Sequence, residues 1–357
     1  MNLSEELKNR NLPPLRPRAQ MKEILQREMY GYLPACPCEI AVSTPVAAEA
    51  RYALGTVAQS FVTMTLTVGG KAHSFRVDRL LHTDGKKRPL IIHINFHPMT
   101  SSQYFPREEL SEYDVDFLHF CYKDVTSDDG DFKNGLAALL LPNGQDSDTA
   151  CGKIGIWAYA AMRVLDYGLT LAGTDPKNVA VIGHSRLGKT AAFAAMMDER
   201  FAFCFSNAAG CAGNALAHGN SGHSRPPRTY ALGELYEDIY QNFPFWFCKN
   251  FKKHTARNLS EEFDQHYLFA AIAPRRAVIG SCSEDFWADP VSEQLCALAA
   301  SPAWEEKGLD GIKCERILDA GEALLDGDIG YFKIHSLHFL SRHSWHHYLA
   351  FLAKHKN

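Results

Sequence analysis

An α/β protein is predicted: a mostly parallel central sheet flanked by helices as a three-layer sandwich, opened by antiparallel strands. Three observations carry this. Val62, Met64, Leu66 and Val68 alternate with Thr63, Thr65 and Thr67, Gly69-Gly70 turns the chain, and Phe75 and Val77 alternate again, which reads as a hairpin. From Leu90 onward, short apolar runs (Leu90 to Phe96, Asn178 to Ile182, Ala277 to Gly280) are separated by helical stretches such as Ile154 to Leu171. The apolar runs lack strict alternation, as suits strands buried on both faces.

Before the hairpin, Met21, Ile24, Leu25 and Met29 mark one face of a helix from about Arg18 to Tyr30. Residues 1–50 are expected to form a helical and extended attachment packed on the core, and residues 51–357 the catalytic domain, as one structural unit overall. Thr190 to Met197 is Ala-rich and helix-forming, Asp289 precedes Pro290 as a helix cap, and a terminal helix follows His338. Pro142-Asn143-Gly144 and Pro226-Pro227 are loops.

With 357 residues, 46% of them hydrophobic, the chain can bury a large core. A net charge of −4 and no basic patch argue against nucleic acid as a partner. No apolar run approaches the ~20 residues of a membrane span. The polar start, Met-Asn-Leu-Ser-Glu-Glu-Leu-Lys, predicts a cytoplasmic protein if residue 1 is the native start, and a secreted or periplasmic one if a leader was removed. Ten irregularly spaced cysteines read mostly as buried free thiols. His343 and His347, one helical turn apart, have no carboxylate or third ligand at zinc spacing, so no metal is expected. No signal for an oligomeric state stands out.

Function turns on residues 183 to 190, Gly-His-Ser-Arg-Leu-Gly-Lys-Thr. They match the phosphate-binding G-x-x-x-x-G-K-[ST] pattern, and they also place Ser185 between an apolar strand and a helix as a nucleophile elbow. Nucleotide binding further needs a magnesium carboxylate closing a strand, and Leu90 to Phe96 ends instead in His97-Pro98. A serine nucleophile needs a His and an acid, in α/β-hydrolases in the order Ser, acid, His. Glu284 and Asp285 follow the apolar run ending at Gly280, and His335 and His338 come later. The second glycine falls three residues after Ser185, so the general G-x-S-x-G pattern is not met.

Gly183, His184, Ser185, Arg186, Gly188 and Lys189 fit G-[CH]-S-R-x-G-K, and with the blocks around Asn242 to Cys248, Phe263 to His266, Glu284 to Pro290 and Ile329 to Trp345 the chain resembles the glucuronoyl esterases, family 15 of the carbohydrate esterases. The resemblance implies an α/β-hydrolase with Ser185 as nucleophile, His338 as base (seven residues before Trp345) and Arg186 as an oxyanion donor. Many members carry the triad acid soon after the elbow, where this chain has Ala208 and Ala209; the acid is therefore expected from the later loop, as Asp285 rather than Glu284. Lys189, Glu234 and Trp287 match positions that contact the glucuronate ring, with Lys189 expected to reach over the cleft mouth. No cofactor is implied. The implied substrate is an ester of (4-O-methyl-)glucuronic acid on glucuronoxylan fragments. Another carbohydrate esterase, such as an acetyl xylan esterase, and a catalytically silent binding protein remain as alternatives. His218 to Tyr230 reads as an insertion that reshapes the cleft.

Overall fold

The computed structural model describes residues 3–47, 57–100, 103–220 and 233–356. The boundary expected between residues 50 and 51, and most of the expected insertion, residues 221–230, lie outside them.

One 11-stranded sheet organises the chain. Its strands are β1 (Glu39–Val42), β2 (Val46–Ala47), β3 (Val57–Val68), β4 (Lys71–His82), β5 (Arg88–Asn95), β6 (Asp116–Cys121), β7 (Thr174–His184), β8 (Phe203–Asn207), β9 (Arg276–Cys282), β10 (Glu322–Leu324) and β11 (Ile329–Ile334). The order is β1-β3-β4-β6-β5-β7-β8-β9-β11-β10, with β2 also on β3. From β6 to β11 neighbours run parallel, while β1 to β4 and β10 pair antiparallel. The β3–β4 hairpin closes at Val68 opposite Lys71, so Gly69 and Gly70 occupy the turn. Both adopt positive φ, 58° and 76°, which glycine tolerates without a Cβ penalty.

The parallel strands are apolar on both faces because both are covered. Ile92, Ile94, Val179 and Val181 face a core shared with the helices Lys153–Gly168 and Arg186–Met197. Ile91, Ala180, Ile182, Phe205 and Val278 face the opposite way, against the terminal helix Arg342–His355. The N-terminal helix Arg18–Leu25, extended by a π-helical turn over Gln26–Tyr30, buries Met21, Ile24, Leu25 and Met29 in the first core.

The winding fixes where a ligand can sit. After β5 the chain adds β6 on one side, then returns to add β7 on the other and continues outward through β8, β9 and β11. The carboxyl ends of β5 and β7 therefore flank a switch point, the usual ligand crevice of an open α/β sheet. Ser185 directly follows β7.

Candidate active site

Backbone crowding builds the elbow. Ser185 sits at φ 58°, ψ −130°, a strained conformation that presents the side chain between strand and helix. The helix begins immediately, at Arg186, four residues earlier than composition alone suggested. So sharp a turn brings β7 against the helix's first turn: a Cβ on Gly183 would lie 2.0 Å from the Leu187 carbonyl oxygen. A Cβ on Gly188 would lie 2.9 Å from Ser206 Oγ and 3.0 Å from Ala209 Cβ. This accounts for the glycine at the third position after Ser185: the helix crosses β8 there, while Leu187, one residue earlier, is fully buried. The Ser185 N–H is taken by the Asn207 carbonyl at 2.9 Å. The Arg186 N–H, in the first helical turn, has no acceptor among the described residues.

A histidine and an acid converge here from the later loops. His338 Nδ1 lies 2.5 Å from Asp285 Oδ2, and the Asp285 side chain is 7% exposed. The His338 ring packs on that of His184, the residue before Ser185, with centroids 4.3 Å apart. Glu284 is exposed and touches the neighbouring Ser283 hydroxyl, not His338. Asp289, at positive φ, caps the helix Pro290–Ala300 by accepting the Ser292 N–H at 3.1 Å. His347 stacks on Phe332 at 4.6 Å.

His184 ties the two halves together. Asn207 Nδ2 donates to His184 Nδ1 at 3.0 Å and to the Phe339 carbonyl at 3.0 Å. His184 Nδ1 also lies 3.3 Å from the Asn207 carbonyl, and the ring makes a further hydrogen bond to the backbone of His338. Burial, reinforced by the adjoining His338, holds the His184 imidazole down at about 3, so it is neutral near pH 7.

Arg186 lies in an aromatic cage. Its guanidinium carbon is 4.6 Å from the Trp246 ring centroid, 5.1 Å from that of Phe243 and 5.6 Å from that of Phe96. Nη1 pairs with Asp128, whose Oδ1 accepts Trp246 Nε1–H at 2.7 Å and whose Oδ2 accepts the Tyr122 hydroxyl at 2.8 Å. Asp128 is the residue that sequence reasoning missed. It belongs to an acid-rich turn, and two of its three partners, Arg186 and Trp246, lie far along the chain.

Lys189, Glu234 and Trp287 are brought together, but not as expected. Lys189 is 4% exposed and does not reach over the mouth; as a helical residue facing inward, its Nζ donates to the Ala209 carbonyl. Burial lowers its pKa, and Glu234 opposes that shift. Burial raises the Glu234 carboxyl, while Lys189 and a hydrogen bond from Trp287 pull it back. The segments carrying them pair through their backbones: the Gly233 and Glu234 N–H groups donate to Phe286 and Trp287 carbonyls at 2.8 and 2.9 Å. Trp287 is 47% exposed, so it does not belong to the core. Leu337 and Phe339, on either side of His338, are also exposed. Phe339 borders a cavity of 650 Å³ shared with Tyr104, Phe105 and Leu340.

Among the described residues, no group of three His, Cys, Asp or Glu is arranged to hold a metal ion, and no helix is long and apolar enough to cross a membrane. All ten cysteines are free thiols, most of them buried.

A serine on a strained strand-to-helix turn, at the switch point of a mostly parallel sheet, is the architecture of the α/β-hydrolases. The model of the family described as glucuronyl esterase, fungi, matches residues 64–308. The chain belongs to the glucuronoyl esterase family. A carbohydrate esterase from an unknown prokaryotic organism is 35% identical over 204 residues, 57% of this chain and 44% of that protein. A 4-O-methyl-glucuronoyl methylesterase of Podospora anserina is 26% identical over 298 residues, 81% of this chain and 55% of that protein. The glucuronoyl esterase from Solibacter usitatus superposes with a TM-score of 0.81 at 27% identity, covering 95% of this chain and 92% of that one. The chain spans about half the length of the curated relatives it matches.

Proposed function

We propose that the chain is a serine-dependent carboxylic ester hydrolase that cleaves esters of (4-O-methyl-)glucuronic acid, as borne by glucuronoxylan fragments. The observation that carries this reading is the His338–Asp285 pair packed beside the Ser185 elbow. The name of the Podospora relative supports the acyl half of the substrate. So does the grouping of one ammonium, one carboxylate and one half-exposed indole, which suits a hydroxyl-rich ring.

In the proposed reaction, Ser185 Oγ attacks the ester carbonyl carbon while His338 Nε2 takes the hydroxyl proton. Asp285 holds the ring by its Nδ1–H and stabilises the imidazolium. Negative charge grows on the former carbonyl oxygen, facing the free Arg186 N–H and the Arg186 guanidinium, a contribution of roughly 3 kcal/mol for one such donor. Collapse of the intermediate expels the alcohol, which takes its proton from His338. Water then attacks the acyl-enzyme with His338 again as base, releasing glucuronate and Ser185. The leaving alcohol departs on the His338 side, where Leu337 and Phe339 offer apolar surface.

The test compares methyl glucuronate, methyl galacturonate and acetylated sugars on the native chain and on Ser185→Ala. Hydrolysis of the glucuronate ester, lost in Ser185→Ala, is the expected result. Preference for acetylated sugars would replace this substrate assignment, and hydrolysis surviving in Ser185→Ala would refute the nucleophile.

A further inference from the structure

The cation beside the elbow is held from behind by a group outside the proposed triad and sugar site. A free arginine side chain has several rotatable torsions, and an oxyanion donor acts only if it is in place before charge develops. At Arg186 three aromatic faces limit the plane of the guanidinium, but stacking alone leaves it free to slide. The fixed point is Asp128. Three donors converge on its carboxylate, from Arg186, Tyr122 and Trp246, and its side chain is 7% exposed.

The turn carrying Asp128 is itself anchored. Asn134 Oδ1 accepts Thr126 Oγ1 at 3.0 Å and the Ser127 N–H at 2.9 Å. Buried Lys153 donates to Thr126 Oγ1 at 2.8 Å and to the Asp131 carbonyl at 2.6 Å. Trp246 closes the arrangement from the far side, stacked on Phe243 with centroids 3.9 Å apart. These contacts position the carboxylate, and Arg186 inherits that position.

We propose that Asp128 is a positioning residue for acyl transfer: through its ion pair with Arg186 and its hydrogen bonds from Trp246 and Tyr122, it sets the guanidinium against the developing oxyanion. The inference rests on the reading of Arg186 as an oxyanion donor. Asp128 acts through Arg186, so its effect falls on kcat and not on KM, and it depends on Arg186 being present.

The experiment measures kcat and KM on methyl glucuronate, with urea unfolding midpoints, for Asp128→Asn, Arg186→Ala and the double variant. Asp128→Asn is expected to lower kcat ~tenfold or more and Arg186→Ala ~100-fold, each with KM within about threefold of native. The double variant is expected to be no slower than Arg186→Ala alone. Losses that multiply, or a folded Asp128→Asn with native kcat beside a slow Arg186→Ala, would overturn the assignment of Asp128 and leave Arg186 intact. An Arg186→Ala as fast as native would overturn the oxyanion reading and Asp128 with it. Trp246→Phe keeps a stacked ring and removes the N–H donor, so it tests the same idea if Asp128→Asn does not fold. It is expected to slow the native chain severalfold and leave Arg186→Ala unchanged; equal slowing in both would overturn the proposal.

Discussion

Asp285 Oδ2 and His338 Nδ1 stand 2.5 Å apart, although 53 residues separate them in the chain. Asp285 is held in a turn after β9 by its own N–H to the Cys282 carbonyl, at 3.2 Å, and by the Ala288 N–H to its Oδ1. Its one strong partner is the imidazole. Replacing the carboxylate with an amide would leave His338 in the wrong tautomer to act as a base. Asp285→Asn is therefore expected to lower kcat by ~10³ to 10⁴. Glu284→Gln, altering an exposed neighbour, is expected to cost less than about threefold. A steady-state comparison of the two on methyl glucuronate checks the assignment; a large loss in Glu284→Gln alone would reverse it.

The elbow makes a prediction about folding as well as catalysis. A methyl group on Gly183 meets the Leu187 backbone at 2.0 Å, where nothing flexible can yield. On Gly188 it meets a serine hydroxyl and an alanine methyl at 2.9 and 3.0 Å, contacts a small shift can relieve. Gly183→Ala is expected to abolish soluble expression or to destabilise by more than ~3 kcal/mol, and Gly188→Ala by ~1–3 kcal/mol. Denaturant midpoints for the two rank them, and the reverse ranking would contradict this account.

How far these features were legible in the sequence follows from how local their causes are. The β3–β4 hairpin was readable because alternation and a Gly-Gly turn act between neighbours. β5, β7 and β9 were readable because burial on both faces leaves an unbroken apolar run. Sheet order was not, since the return of β7 to the far side of β5 is decided by packing between distant segments. The helix start was placed late because Arg186, Leu187 and Gly188 carry no capping signal; the elbow strain sets it. Lys189 was expected to reach over the cleft mouth because it follows Ser185 by four residues. Its burial depends on the Ala209 carbonyl and on Glu234, 45 residues away. Asp128 had no local signature, because two of its three donors, Arg186 and Trp246, come from distant segments.

Buried ionisable groups predict a pH dependence of stability. Burial holds His119 and His184 down at about 3 and His93 well below its ordinary range. The unfolded chain protonates these sites below about 6.5 while the folded one does not, so they erode stability as pH falls from there toward 3. Glu293 acts in the opposite direction. Burial pushes its carboxyl up to about 8, between the Ser281 hydroxyl and the Gly210 N–H. The folded chain keeps that proton while the unfolded chain loses it above about 4.5, so Glu293 erodes stability as pH rises from there to 8, by up to ~1.4 kcal/mol per pH unit. Glu293→Gln mimics the protonated group and removes the falling contribution, so the slope of unfolding free energy against pH is expected to be more positive than native between pH 5 and 8, by up to ~1.4 kcal/mol per pH unit. Urea unfolding across that range in both proteins is the measurement, and parallel profiles would show that Glu293 is ionised in the fold.

The proposed sugar pocket is best tested through its exposed member. Lys189 is buried and joined to the Ala209 carbonyl beside the elbow, so Lys189→Met removes a structural contact along with any contact to substrate. It also leaves the Glu234 carboxyl without the cation that offsets its burial. Trp287 is half exposed, and its removal costs the fold little. If Trp287 and Lys189 read the glucuronate ring, both variants raise KM for methyl glucuronate by roughly ten- to hundredfold, the equivalent of ~1.5–3 kcal/mol for a lost charge-assisted contact. A small aryl acetate presents no ring hydroxyls, so its KM should change by less than about threefold in Trp287→Ala. Its kcat in Lys189→Met then reports how much of that loss is structural. Equal losses on both substrates in Trp287→Ala would mean that the indole shapes the loop bearing Asp285 and does not recognise the sugar.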